Sequence, residues 1–452
     1  MSLLDPLFGS EAMDKIFADS SRLQRMLDFE AALARAQARA GVIPGWVVAP
    51  IVAQCQAGLF DLAALAQSAS LAGNLAIPMV KQLTWLVAQH NPDASGYVHW
   101  GATSQDAIDT GLVLQLRDAL AFIAADLNRL CDLLSALAEQ HRSTPLVART
   151  WMQHAVPTVL GLKVAGWLDA LLRHRVRLHE VQARDLVLQF GGAAGTLASL
   201  GGEGLKVAEA LAEELRLQLP AIPWHAHRDR LAEVATVLAL LVGTLGKMAR
   251  DLSLGMQTEV GELFEPGAPG RGGSSSMPHK RNPVISAVVL AAAERVPALT
   301  SVLLSATVQE HERGLGGWQA EWETAPEIVR LAAGALQKMV EAVAGLEIDT
   351  PRMRHNLDET QGLIFAEAVT VALGKSLGRS AAHALVEEAS RKAIAERKYL
   401  ADVLGNDARV TPHLSAGEME KLFDPLSYLG MAGQFVDRVL ASKQAGDAEK
   451  GD

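Results

Sequence analysis

Between Ser21 and Ala40 the apolar residues Leu23, Met26, Leu27, Ala31 and Ala34 recur every three or four positions. That spacing puts them on one helix face, and the GVIPG that follows stops the helix. The rest of residues 1–108 follows suit, as helices of moderate length between Gly and Pro breaks. From Asp109 the periodic stretches lengthen, and they predict helices over 109–141, 157–190, 226–263, 283–313 and 326–344. The first four have about 30 residues each, against a usual mean of about 11–12, and would run about 45–55 Å. Pro157 and Pro283 suit the first turns of their helices, Asn282 suits an N-cap, and Pro297 predicts a kink. In the third long helix Leu231, Val234, Val237, Leu238, Leu241 and Leu245 form a stripe that Leu240 and Val242 widen. A helix apolar over so much of its circumference is covered on several sides. The pattern therefore predicts an all-α protein whose long helices bundle together and also pack against other subunits. Residues 347–452 return to shorter helices, and the terminal SKQAGDAEKGD reads as a disordered tail. The expected division is an N-terminal helical domain (1–108), a central long-helix domain (109–346) and a C-terminal helical domain (347–452). No strand-rich region or internal repeat stands out.

Composition narrows the class. A chain of 452 residues is too long for one simple core, and its scarce aromatics beside abundant Ala and Leu favour helix. A formal charge of −10 argues against a general nucleic-acid binder, so any anion site needs a local cluster of cations. Cys55 and Cys131 show neither metal-ligand nor redox spacing and read as buried thiols in a reducing compartment. Asp5, Glu11 and Asp14 interrupt the N-terminus, so no signal peptide is expected. The longest apolar run, Val234–Leu245, is short for a bilayer span. The expectation is a cytoplasmic protein without membrane or nucleic-acid partners.

One stretch breaks the helical pattern. GGSSSMPHKRNP, residues 272–283, follows FEPGAPGRGG, whose Pro266, Pro269 and glycines end the preceding helix. Lys280, Arg281 and the N–H groups near Asn282 would bring positive potential to a helix N-terminus, with glycines that let serine N–H groups face an anion. A flexible linker with a helix cap has the same composition, and the residues alone leave both readings open. The spacing fits no Walker A loop, Ser274 is not in a G-x-S-x-G elbow, and nothing resembles HExxH or a carboxylate cluster. No metal or other cofactor is expected.

GSSSMPHKRNP (273–283) closely resembles the signature of the fumarase/aspartase superfamily, G-S-S-x-M-P-x-K-x-N. HWGATSQD (99–106) and RTWMQHAVP (149–157) resemble two further motifs of that superfamily in the same order, so the resemblance spans nearly the whole chain. It implies a three-domain all-α fold, a homotetramer with a 20-helix core, active sites shared by three subunits, and chemistry without a cofactor. Members add or eliminate a group β to a carboxylate through a carbanion held as an aci-carboxylate. By this resemblance Ser274 exchanges the α-proton, and Lys280 and Asn282 hold the substrate carboxylate on which charge builds. Thr103, Ser104, Thr150, Gln153 and Ser275 match substrate-binding positions, and His99 matches a substrate-side histidine.

Two departures bear on the substrate. Where the superfamily's second motif carries His after Thr, this chain has Trp151, and where a Glu partners that His it has Ala287. One acid–base pair is thus missing together. Expulsion of hydroxide or an amine benefits from a general acid, whereas a carboxylate group, with a pKa of about 4, needs no proton at neutral pH. Within the superfamily this favours cycloisomerisation of 3-carboxy-cis,cis-muconate, a step of protocatechuate degradation in which a tethered carboxylate adds across a C=C bond to give a lactone. AGNLAIPMVKQL, HERGLGGWQAEWETAPE (311–327) and FDPLSYLG (423–430) likewise resemble the bacterial 3-carboxymuconate cycloisomerase branch. The implied partner is a small tricarboxylate, with Arg313 either binding its third carboxylate or forming a structural ion pair. An adenylosuccinate lyase-like elimination and a non-catalytic, crystallin-like scaffold are the alternatives.

Overall fold

The computed structural model describes residues 3–273, 276, 277 and 279–448. Five long helices stand where the periodicity predicts them: α1 (Ser104–Gln140), α2 (Leu160–Asp185), α3 (Asp229–Gly255), α4 (Val284–Ser305) and α5 (Gly317–Ala344). The middle three, of 26, 27 and 22 residues, are shorter than predicted. At the start of α2 the prediction fails for a local reason. Residues 145–159 form an antiparallel hairpin, β1 (Pro145–Thr150) with β2 (Gln153–Val159). Pro157 is therefore not at a helix N-terminus but in β2, opposite Val147. Val147, Thr150, Val156, Thr158 and Val159 favour strand, and a two-stranded ribbon has an open side for a residue without an N–H.

The last long helix starts nine residues before the predicted position and runs through Pro326. Proline leaves the carbonyl four residues back without its helical donor. That carbonyl belongs to Trp322, and Arg22 Nη2 donates to it at 3.1 Å. Part of the C-terminal tail departs from expectation: the helix Ala432–Ala448 includes its first seven residues, where Lys443 Nζ binds Asp132 at 2.7 Å, and residues 449–452 lie outside the described residues.

Packing divides the chain into two compact units. The first comprises Met1–Leu127, His174–Gly246 and Val288–Lys338. In it Leu231, Val234, Leu238, Leu241, Val242 and Leu245 of α3 are buried as expected, while Leu240 remains 49% exposed in the single chain. A charged triad also lies in this core. Arg228, just before α3, binds Asp109 of α1 at 2.7 Å and Glu321 of α5, all three almost fully buried. Burial opposes the Arg228 charge, but Asp109 and Glu321 more than offset that and raise its pKa. The second unit comprises Asn128–Arg173, Lys247–Ala287 and Met339–Asp452. Its apolar core includes Val369, Leu373, Leu385, Leu400 and Leu404. It also holds a short ribbon of β3 (Leu263–Phe264) with β4 (Glu347–Ile348).

The Val234–Leu245 run lies in a helix longer than the run itself. By length and composition α3 and α4 are each able to cross a bilayer, and 56% and 33% of their most apolar windows are buried within the protein.

Candidate active site

The first motif lies in the first unit. His99 and Gly101 adopt left-handed backbone, with φ of 57° and 73°, and the loop they form leads into α1 at Ser104. His99 Nδ1 meets the buried Glu30 carboxylate at 2.6 Å. Burial disfavours the imidazolium, yet Glu30 outweighs it and raises the His99 pKa above its ordinary value. Beyond the loop, the fully buried Asp106 gathers four donors. These are the N–H groups of Thr103, Gly191 and Gly192 at 3.0 Å each, and His225 Nε2 at 2.7 Å. Gly192 is required here: its φ is +67°, and a Cβ would stand 2.9 Å from the Gly101 carbonyl. The 99–103 loop is thus clamped against the 191–193 loop, and the hydroxyls of Thr103 and Ser104 are left without protein partners among the described residues.

Arg313 reaches the same corner. Its Nε donates to Gln105 Oε1 at 2.9 Å and its Nη2 to the Ala193 carbonyl at 3.3 Å. It has no carboxylate partner among the described residues.

The second motif is the hairpin tip in the second unit. Thr150 pairs with Gln153, and Trp151 and Met152 make the two-residue turn with φ of 53° and 65°. Such turns favour Asn-Gly, so two bulky residues there are strained. Trp151 is 98% exposed. The hairpin is held from its other face: Arg149 binds the buried Glu262 through two bonds of 2.8 and 2.7 Å, and Asn356 Nδ2 donates to the same carboxylate at 2.8 Å. His154, opposite Arg149, has its pKa lowered by burial and by the Arg149 charge.

The signature stretch belongs to the second unit too, and Ser274 and Ser275 lie outside the described residues. Here two expectations are corrected. Asn282 does not cap α4, because Pro283 occupies the boundary and its carbonyl accepts the Ala287 N–H. The cap comes from Glu265, a buried carboxylate that accepts from Ile285 N at 2.9 Å and Ser286 N at 2.6 Å. The helix end expected to receive an external anion already holds an internal one, so its dipole adds little for a ligand. Arg281, expected beside Lys280 as free positive charge, binds both oxygens of Glu347 at 2.9 Å and stacks over Phe264. With the Gly267 N–H it holds the Glu347 carboxyl below the usual range. The Lys280 side chain is exposed and has no partner among the described residues, while its N–H donates to the Met277 carbonyl at 3.1 Å. Asn282 N donates to the Gly272 carbonyl at 2.9 Å, which closes the loop at its base. Ala287 is exposed in the first turn of α4.

The structure thus brings Thr103, Ser104 and Arg313 to one corner of the first unit. Thr150, Trp151 and Gln153 share the hairpin tip, and Lys280 and Asn282 share the signature loop. Asp106, Gln105, Glu262 and Glu265 were missed, although the first two stand within TSQD; nothing in local spacing announces what a buried carboxylate will bind. Among the described residues no group of three or more His, Cys, Asp or Glu side chains is arranged to hold a metal ion.

Comparison with known proteins finds relatives over nearly the whole chain. Residues 9–298 match the family described as Lyase, and residues 362–439 match that described as Adenylosuccinate lyase C-terminus. The 3-carboxy-cis,cis-muconate cycloisomerase of Pseudomonas aeruginosa is 58% identical over 443 residues, 98% of this chain and 96% of the relative. That of Bradyrhizobium diazoefficiens is 54% identical over 97% of this chain and 98% of its own. The crystal structure of 3-carboxy-cis,cis-muconate lactonizing enzyme from Pseudomonas putida superposes with a TM-score of 0.94 at 55% identity, covering 98% of this chain and 99% of that one.

Proposed function

We infer function from a plain premise: the chain belongs to the fumarase/aspartase family of lyases. It is an enzyme that converts 3-carboxy-cis,cis-muconate to a carboxymuconolactone, a step of the protocatechuate branch of the β-ketoadipate pathway. The observation that carries this reading is identity of more than half, over almost the whole chain, to cycloisomerases of that substrate. The loss of the acid–base pair at Trp151 and Ala287 gives it a chemical reason. One substrate carboxylate oxygen bonds to a carbon of the adjacent C=C, the π electrons move to the neighbouring carbon, and that carbon takes one proton. The nucleophile is already ionised and tethered, so catalysis consists of geometry and of stabilising the carbanion as an aci-carboxylate.

In this reading Ser274 delivers the proton, Lys280 and Asn282 hold the carboxylate on which charge accumulates, and Ser275 helps to bind the substrate. Thr103, Ser104, Thr150 and Gln153 bind the other carboxylates with His99 and Arg313, and Trp151 and Ala287 line the site. The reading includes a homotetramer whose active sites join segments of three subunits, a cytoplasmic location and no cofactor. The two-thirds of the apolar window of α4 left uncovered in the single chain supports burial against other copies.

The test follows loss of diene absorbance from 3-carboxy-cis,cis-muconate, with adenylosuccinate and argininosuccinate as comparators. Turnover of the muconate alone is expected. Cleavage of either succinate compound without muconate turnover sinks the assignment.

A further inference from the structure

Arg313 stands in the turn between α4 and α5, which Glu310 closes by accepting the Leu315 N–H at 2.9 Å. A long cationic side chain on such a turn has many rotamers, and something must aim it. Gln105 does so. While its Oε1 accepts from Arg313, its Nε2 donates to Asp109 Oδ2 and to the His225 carbonyl, both at 3.0 Å. Those acceptors fix the amide: turned over, its oxygen would face a carboxylate and a carbonyl, and its NH₂ would face the guanidinium. Asp109 is itself locked by Arg228 at 2.7 and 3.1 Å and by Trp318 Nε1 at 2.9 Å. Gln105 is 1% exposed, so water does not compete for these bonds.

The side-chain type matters. A neutral amide accepts from the guanidinium without cancelling its charge, and the second partner, the Ala193 carbonyl, is neutral too. Arg271 and Arg281, by contrast, are spent on Glu341 and Glu347. Gln105 also follows Thr103 and Ser104 directly, so it ties the cation to the two free hydroxyls.

We propose that Gln105 is a positioning residue that aims Arg313 at the carboxylate distinguishing a tricarboxylate from the dicarboxylates, and so sets affinity for the third carboxylate. The proposal rests on the cycloisomerase reading. A group that binds ground state and transition state alike changes KM and spares kcat.

The test is a double-mutant cycle on the full-length enzyme with the muconate: wild type, Gln105→Met, Arg313→Met and both together. Arg313→Met is expected to raise KM by about 30-fold or more, the worth of a charge-assisted bond. Gln105→Met is expected to raise it about 5- to 20-fold with kcat within about threefold, and the double variant to match Arg313→Met alone. Multiplying KM effects, an unchanged KM in Gln105→Met, or a kcat defect at constant KM overturns the proposal. Should Gln105→Met fail to fold, Gln105→Asn, which keeps the amide on a shorter arm, is held to the same KM-only criterion. A wild type that does not turn over the muconate sinks the cycloisomerase reading itself, before any variant is compared.

Discussion

The corner around Thr103 and the loop around Lys280 are built in opposite ways. In the first, buried carboxylates do the holding: Asp106 clamps two loops, and Asp109 is held by Arg228 and holds Gln105 in turn. In the second, Glu265 caps α4 and Glu347 holds Arg281 at the base of the loop, while the Lys280 side chain stands exposed. Under the proposed roles, the corner that binds the fixed carboxylates of the substrate is the one preorganised by buried charges.

That contrast is open to attack. The largest effect is expected at the loop: Ser274→Ala and Lys280→Met should each lower kcat by about 10²–10⁴-fold with native mass retained. A near-normal kcat in Ser274→Ala would mean that the proton carrier lies elsewhere. Stability should behave the other way round. Arg228→Met strands two buried carboxylates and should cost about 3–5 kcal/mol, read by urea unfolding at fixed protein concentration. Glu265→Gln keeps one acceptor for the α4 cap but turns an NH₂ toward the other N–H, and should cost about 1–2 kcal/mol. Equal losses from the two would erase the distinction between corner and loop.

A smaller effect concerns pH. The His99 pKa is raised in the folded state, so its pairing with Glu30 stabilises fully below the ordinary imidazole value of about 6.5. That contribution is lost as pH rises through the folded-state value. The melting temperature of His99→Gln should therefore fall furthest below wild type near pH 6 and approach it at alkaline pH. A gap that is constant with pH contradicts this. Smallest of all, Trp151→His with Ala287→Glu should leave muconate turnover unimproved, and a large gain would show that a missing acid was limiting.

The sequence by itself determined the long helices, the buried stripe of α3 and the family, because periodicity and motif spacing are local properties of the chain. It also exposed the missing acid–base pair, since an absence inside a motif is as legible as a presence. It misread 157–159 as a helix start, since a strand of six or seven residues is too short to separate from one by pattern, and it misread the part of the tail up to Ala448, where Lys443 pairs with Asp132. Only the tertiary structure decided which charges are spent and which are free. Glu265 reaches the α4 N-terminus from 20 residues back, and Arg313 meets Gln105 across 208. A buried charge must find its partner wherever the fold places one, and no pattern along the chain encodes that distance.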